Sequence, residues 1–340
     1  MAALSAARLI FLIGILPGLT VHAAQPTVVS IPSTAGSQEI QQALDQLPED
    51  GGEVVLAPGT YEIKQAIVLR RDHQGLRGSG ASTILRLADS ANCPVIVLGA
   101  PMIEPRPIVS HLHVSDLFID GNRNHQQCEE WKACKASWVA NNGISVETVT
   151  DAEIERVSCA HCRSGGLVTA NGTRRLVVRD FTTFDNEYDG LACYLTEESI
   201  FSRIFSHDNR AAGISLDLSF SHNVISEAVL TGNEHGIFMR DTRGNVFQGL
   251  VIRSSREHGV FMAQSGRDTP TGWQALPGTD CTDNSFMGIV ISDSGGAAFH
   301  PNDPGCTENL ICGAQFIHNA KGGITPAGTN TFTISGLVER

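Results

Sequence analysis

The chain has 340 residues, 41% hydrophobic and only 18% charged, which excludes a disordered polymer and is enough for one large domain or two small ones. Its net charge of −12 excludes a nucleic-acid partner, because phosphate binding needs a basic footprint, but not an anionic sugar polymer held by a local basic site. Thirty-four glycines against 6% aromatics predict many turns and no large aromatic core.

The N-terminus reads as a secretory signal peptide over residues 1–23. Arg8 supplies the charge, Leu9 to Leu19 the apolar run, and Val21-His22-Ala23 the small-residue cleavage site. The run is shorter than the ~20 residues a membrane span needs, so a secreted or periplasmic protein with no membrane contact after cleavage is expected. Residues 24–340 then form a single domain. Between Ser37 and Leu47, Ile40, Ala43, Leu44 and Leu47 recur at helical spacing and Pro48 follows, which predicts a capping helix. Gly51-Gly52-Glu53-Val54-Val55-Leu56-Ala57-Pro58-Gly59-Thr60-Tyr61 reads as a turn into the first strand, so 24–60 is cap and first strand.

From residue 143 to 325 the sequence repeats. Rows begin at Gly143, Gly166, Gly190, Gly213, Gly236 and Gly259, at intervals of 23, 24, 23, 23 and 23, each followed by an apolar residue. A longer interval leads to Ala297-Ala298-Phe299, and Gly322-Gly323-Ile324 closes the series. Asn223, Asn245, Asn284 and Asn309 form a second column, and Asn186, Asn209, Asn233 and Asn319 a third. Each row holds two or three short alternating strands, and asparagine suits the turns and can hydrogen-bond from coil to coil. No row can bury its own apolar side, so the rows must stack ~4.8 Å apart on one shared core. Leucine-rich repeats would need an L-x-x-L-x-L spacing and a helix per row, and neither occurs.

The segments Asn122–Ala140 and Gln264–Thr282 break the rhythm and read as long loops, which either overhang the binding face or are only anchored to the wall by Trp131, Trp138 and Trp273. Cys159-Ala160-His161-Cys162 invites a metal reading, but no second pair completes a zinc site, so no metal is assigned. Calcium stays open: outward acids are oxygen ligands of the right kind, but no ordered ligand loop is visible. Cys281 and Cys306 lie 25 residues apart and three residues before Asn284 and Asn309, which predicts a coil-to-coil disulfide. Oligomeric state is not legible.

The cap helix followed by the GG-x-V-x-L-x-PG-x-Y strand resembles the N-terminus of the pectate-lyase-like superfamily, and the later rows resemble its right-handed β-helix repeats, including those of mannuronan C5-epimerases. The resemblance covers nearly the whole chain after residue 23. It implies an all-β, right-handed parallel β-helix solenoid with an N-terminal capping helix. For activity it implies only a set that includes lyases, epimerases, hydrolases and non-enzymes. The D-P-H motif of the epimerases is absent, and so is the N-T-D, D-D and G-H-G pattern of polygalacturonase-type hydrolases.

Alternation assigns the faces. With Ile214 and Leu216 inward, Ser215 and Asp217 point out. One outward column is then Ser145, Val168, Ala192, Ser215, Phe238 and Phe261, with His300 continuing it; the other is Glu147, Ala170, Tyr194, Asp217, Arg240 and Ala263. Tyr194, Asp217 and Arg240 on consecutive coils suit chemistry beside a sugar carboxylate. Arg240 would bind the carboxylate, Tyr194 move a proton with a pKa below its usual ~10, His235 or His258 act as base, and Asp217 orient one of them or accept a sugar hydroxyl. Phe238 and Phe261 would offer an apolar platform, with Asp189, Glu234, Arg210 and His300 completing substrate contacts. The expected partner is an acidic polysaccharide and the expected reaction a lyase or C5-epimerase step. A hydrolase pairing Asp217 with Asp189 or Glu234, and a non-catalytic binding solenoid, are the alternatives.

Overall fold

The computed structural model describes residues 27–127, 141–269, 272–325 and 331–340. The proposed signal peptide therefore lies outside the described residues, as do Cys128, Trp131, Cys134 and Trp138 of the first rhythm-breaking segment.

The cap forms where its spacing puts it, as a helix from Ser37 to Gln46. Ile40 and Leu44 are fully buried on its inner face, and Glu39 closes the first turn by accepting the Gly36 N–H at 2.9 Å. Beneath it the chain winds into a solenoid whose coils pair in parallel. A front sheet of nine strands runs from Ile67–Leu69 and Ile96–Leu98 through Ile144–Glu147, Leu167–Ala170, Leu191–Tyr194, Ile214–Asp217, Ile237–Arg240 and Val260–Ala263 to Phe299–Pro301. A six-stranded sheet of two-residue strands and a 19-stranded sheet complete the wall. One buried core runs unbroken from Ile31 to Phe316. Phenylalanine is concentrated there: Phe181, Phe201, Phe220, Phe247, Phe286, Phe299 and Phe316 are all fully buried, and Phe247 stacks on Phe286 at 4.6 Å. The low aromatic content thus conceals an aromatic core, because half of the 14 phenylalanines are spent inside.

The repeated glycine answers to space rather than to a left-handed backbone. A Cβ at Gly166 would lie 2.2 Å from Thr183 Oγ1, and one at Gly236 2.3 Å from Ile252 Cγ2. In the next coil after Gly259, Ala298 occupies the matching place. The left-handed residues stand at the corners instead. Asp185, Asp208, Gly232, Ser254, Asp293 and His318 have φ between 50° and 67° on successive coils.

The residue after that corner is the third asparagine column. Asn186 N–H donates to Asn209 Oδ1 at 3.2 Å, and Asn209 N–H to Asn233 Oδ1 at 3.0 Å. The second column is longer: Asn223, Asn245 and Asn284 each donate a backbone N–H to the next asparagine's Oδ1, at 2.9, 3.2 and 3.1 Å, ending on Asn309. All seven are at most 1% exposed. A buried polar group is tolerated only when bonded, and each side chain here satisfies the backbone of its neighbour.

Two expectations fail. Gln264–Thr282 is not a plain loop: Gly266–Thr269 and Gly272–Ala275 form an antiparallel hairpin. Cys281 and Cys306 are free thiols, not a disulfide. The spacing argument did bring them together, since each is fully buried; burial and then the Cys306 thiol push Cys281 up, and the Cys281 thiol lowers Cys306. But Cys281 Sγ also donates to the Ala263 carbonyl at 3.5 Å, and both sulfurs remain thiols.

Candidate functional site

Front-sheet register places the outward columns as alternation does. Ser145 pairs with Val168, Val168 with Ala192, Ala192 with Ser215, Ser215 with Phe238, Phe238 with Phe261, and Phe261 with His300. In the second column Tyr194 pairs with Asp217, and Arg240 with Ala263. The inward partners Ile214, Leu216, Ile237 and Met239 are at most 1% exposed, so the hydrophobic pattern fixes this face.

Arg240 Nη2 meets Asp217 Oδ2 at 2.5 Å. Asp217 is only 4% exposed and also accepts the Leu218 N–H at 2.7 Å. Burial raises its pKa and Arg240 opposes the rise. The Arg240 guanidinium also lies 5.2 Å from the Phe238 ring centroid. Tyr194, half-buried one coil away, is pushed up by burial and by the carboxyls of Asp189 and Asp217, not down as expected from its arginine neighbour. Two carboxyls and a dry surrounding outweigh one cation, so Tyr194 keeps its phenolic proton and is a donor. Asp189, at the turn before the Leu191 strand, is pushed up to about 7 by burial, although it accepts the Ala212 N–H at 2.9 Å; Glu234 raises it and Arg240 lowers it. Asp189, Tyr194, Asp217 and Arg240 thus form one electrostatic group, with Glu234 acting on Asp189. Sequence reading placed Asp189 among substrate contacts, because its burial beside a turn has no signature in residue spacing.

The histidines take a different part. His258 N–H donates to His235 Nδ1 at 3.4 Å, and Ala297 N–H donates to His258 Nδ1 at 3.0 Å. With Nδ1 accepting, each neutral ring carries its proton on Nε2, so neither offers a free lone pair as a base. Their rings stack parallel at 5.8 Å, and His258 stacks on His300 at 4.2 Å. Phe238 and Phe261 likewise stack at 5.1 Å with 10° between planes, and Phe261 stacks on His300 at 5.6 Å. Rings stacked along the solenoid axis cover each other's faces, so this ladder presents edges to a ligand rather than the open platform expected from composition. Arg210 turns to Glu187, 2.7 Å away on an exposed corner. Among the described residues no group of three or more His, Cys, Asp or Glu side chains is arranged to hold a metal ion. Cys159 and Cys162 are buried free thiols, the latter pushed up to about 12 by burial.

Comparison with solved structures returns the same architecture on proteins of low identity. The mannuronan C-5 epimerase AlgE6 A-module of Azotobacter vinelandii superposes with a TM-score of 0.58 at 18% identity, covering 89% of this chain and 94% of that one. An alginate lyase from Paenibacillus sp. superposes at 0.62 with 11% identity, covering 91% and 98%. An endo-xylogalacturonan hydrolase of Aspergillus tubingensis gives 0.59 at 14%, covering 92% of each chain. At such identities the likeness is one of fold. No curated protein matches the sequence. The family model described as "Right handed beta helix region" matches residues 115–303, more than half of the chain and the stretch that carries the coils from the Asp116 corner to the His300 strand, and the protein belongs to that family.

Proposed function

We propose that this protein is a secreted carbohydrate-active enzyme that abstracts the C5 proton of a uronate in an acidic polysaccharide, as a lyase or a C5-epimerase. One observation carries the reading: an arginine held by a buried carboxylate stands on the same face as a phenol that keeps its proton and a carboxyl that titrates near neutrality. Arg240, oriented by Asp217, takes the sugar carboxylate and stabilises the charge that develops when C5 loses its proton. Asp189, partly ionised near pH 7, accepts that proton. Tyr194 is the donor. In elimination the C5–H electron pair forms the C4–C5 double bond, the C4–O bond breaks, and Tyr194 protonates the departing oxygen. In epimerisation Asp189 keeps the abstracted proton and Tyr194 delivers its phenolic proton to C5 on the opposite face. The similar folds named as a mannuronan epimerase, an alginate lyase and a xylogalacturonan hydrolase support a polysaccharide substrate, and the signal-peptide reading of residues 1–23 supports export.

A second reading rests on the two carboxyls. Burial raises both, Asp189 to about 7, but only Asp217 has a guanidinium bound against it, and two carboxyls in unlike surroundings are what glycoside hydrolysis needs. Product analysis of the purified protein on a panel of uronate and neutral polysaccharides separates these. Unsaturated ultraviolet-absorbing ends mark a lyase, reducing ends without that absorbance a hydrolase, and a changed proton spectrum without shortening an epimerase. An unaltered polymer marks a binding solenoid. Tyr194→Phe should cut turnover by at least ~100-fold while leaving polymer binding and Tm intact. Full turnover in that variant ends the first reading.

A further inference from the structure

The outward column that carries Tyr194 begins two coils earlier, at Glu147. Glu147 is polar, outward-facing and only 5% exposed. What covers it is an insertion. Regular coils pass from the front strand to the next within a few residues, as from Glu147 to Val149 and from Ala170 to Thr173. The coil of Ile96–Leu98 instead takes residues 99–108 to reach Val109. It leaves the sheet directly over Glu147: a Cβ at Gly99 would lie 2.1 Å from the Glu147 carbonyl oxygen. Arg106 of this loop returns to Glu147, Nη1 to Oε2 at 3.6 Å, and Asn171 Nδ2 donates to the same oxygen at 2.8 Å. The loop also exposes three large apolar side chains, Met102 at 73%, Ile103 at 51% and Ile108 at 69%. Apolar groups normally withdraw, and three on one short loop beside a built ion pair is a surface prepared for contact.

We propose that loop 100–108 is the wall of a distal subsite for the same acidic polymer, in which Arg106 receives the carboxylate of a sugar about four residues from the reacting one, and Glu147 is a positioning residue that holds Arg106. This rests on the reading of the Tyr194–Asp217–Arg240 face as a uronate site. The geometry fits because coils rise ~4.8 Å each, so Glu147 and Arg240, four coils apart in one column, stand ~19 Å apart on one line. Ala170 leaves the intervening floor low enough for a chain to lie along the axis. Glu147 holds Arg106 by geometry, with its Oε2 shared between the Arg106 guanidinium and the Asn171 amide.

The test compares Arg106→Ala with wild type on uronate oligomers of graded length and on the polymer. KM for long oligomers and polymer should rise about tenfold at unchanged kcat, and the shortest substrate turned over should show no change, since the lost contact is uniform binding felt only by a chain that reaches it. Arg106→Lys should recover part of the loss. Equal effects on short and long substrates, or none on either, overturn the proposal while leaving the catalytic reading intact. If wild type turns over no uronate polymer, affinity electrophoresis in gels containing polyuronate decides. Retardation that weakens in Arg106→Ala keeps the subsite and removes the reaction, whereas no retardation of wild type removes the subsite.

Discussion

The buried asparagine ladders and the Tyr194–Asp217–Arg240 column are made by the same operation, one residue per coil at a fixed register, and they end in opposite chemistry. In Asn223–Asn245–Asn284–Asn309 the residue is the same at every step, so each side chain bonds an identical neighbour, and the inner two have one on both sides. In the front column the residue changes at every step, so each group meets an unlike neighbour that shifts its proton affinity or binds its charge. Repetition along a solenoid satisfies groups and makes a strut; variation in one register perturbs groups and makes a site.

Breaking the varied column should give the largest effect. Arg240→Ala removes the carboxylate-binding guanidinium and leaves buried Asp217 without its cation. Activity on an acidic polymer should fall by ~100-fold or more. The orphaned carboxylate should also cost ~3 kcal/mol of stability, since breaking a buried pair is worse than replacing it. Arg240→Lys separates the two: thermal melts should recover toward wild type while kcat/KM stays depressed, because an ammonium cannot reproduce the planar fork. Wild-type kcat/KM in Arg240→Ala would remove the carboxylate role.

Breaking the repeated column should cost stability alone. Asn245→Ala leaves the Asn223 N–H, the Phe220 carbonyl and the Asn284 Oδ1 short of a partner in a dry core. At ~1–3 kcal/mol per stranded group, a Tm fall on the order of 10 °C is expected. Turnover measured below the transition should be unchanged, and a normal melt would show that water replaces the ladder.

The histidine ladder sharpens the comparison through pH. Burial lowers His235, and burial with the neighbouring His300 takes His258 to about 4, while an unfolded histidine titrates near 6.5. Depressed folded values mean that the unfolded chain binds the proton first as pH falls. The ladder's contribution is therefore complete above pH 6.5 and lost between there and about 4. Tm should drop by several degrees across that window, and His258→Gln should flatten the drop. A Tm constant over the window would mean that the Ala297 bond to Nδ1 is not held in solution.

The smallest expected effect is a gain. The shorter ladder stops at Asn233, where the next two coils carry Ser255 and Ser294, whose buried hydroxyls have no hydrogen-bond partner. Ser255→Asn should extend the ladder by one step and stabilise by roughly 1 kcal/mol, seen as a small rise in Tm. A fall would show that the coil is too tight there for the larger side chain.

Most of the fold could be read from the chain because a solenoid is nearly one-dimensional. The 23-residue interval, the in–out alternation of Ile214-Ser215-Leu216-Asp217 and the asparagine columns each involve only neighbouring coils, so spacing along the chain translates directly into contact. The sequence therefore determined the front face, the members of the outward columns and the cap helix. What it could not determine is the environment those columns meet, because that depends on groups brought in across the register. Tyr194 titrates up rather than down because Asp189 comes to it from a turn. His235 and His258 are donors because backbone N–H groups of the following coils occupy Nδ1. Cys281 and Cys306 are buried free thiols, with Cys281 Sγ donating to the Ala263 carbonyl, where spacing alone predicted a disulfide. Glu147 is buried because an insertion of ordinary appearance folds Arg106 over it. Periodicity fixes which residues share a line, whereas desolvation and hydrogen-bond competition, which fix what those residues can do, exist only once the coils have closed around them.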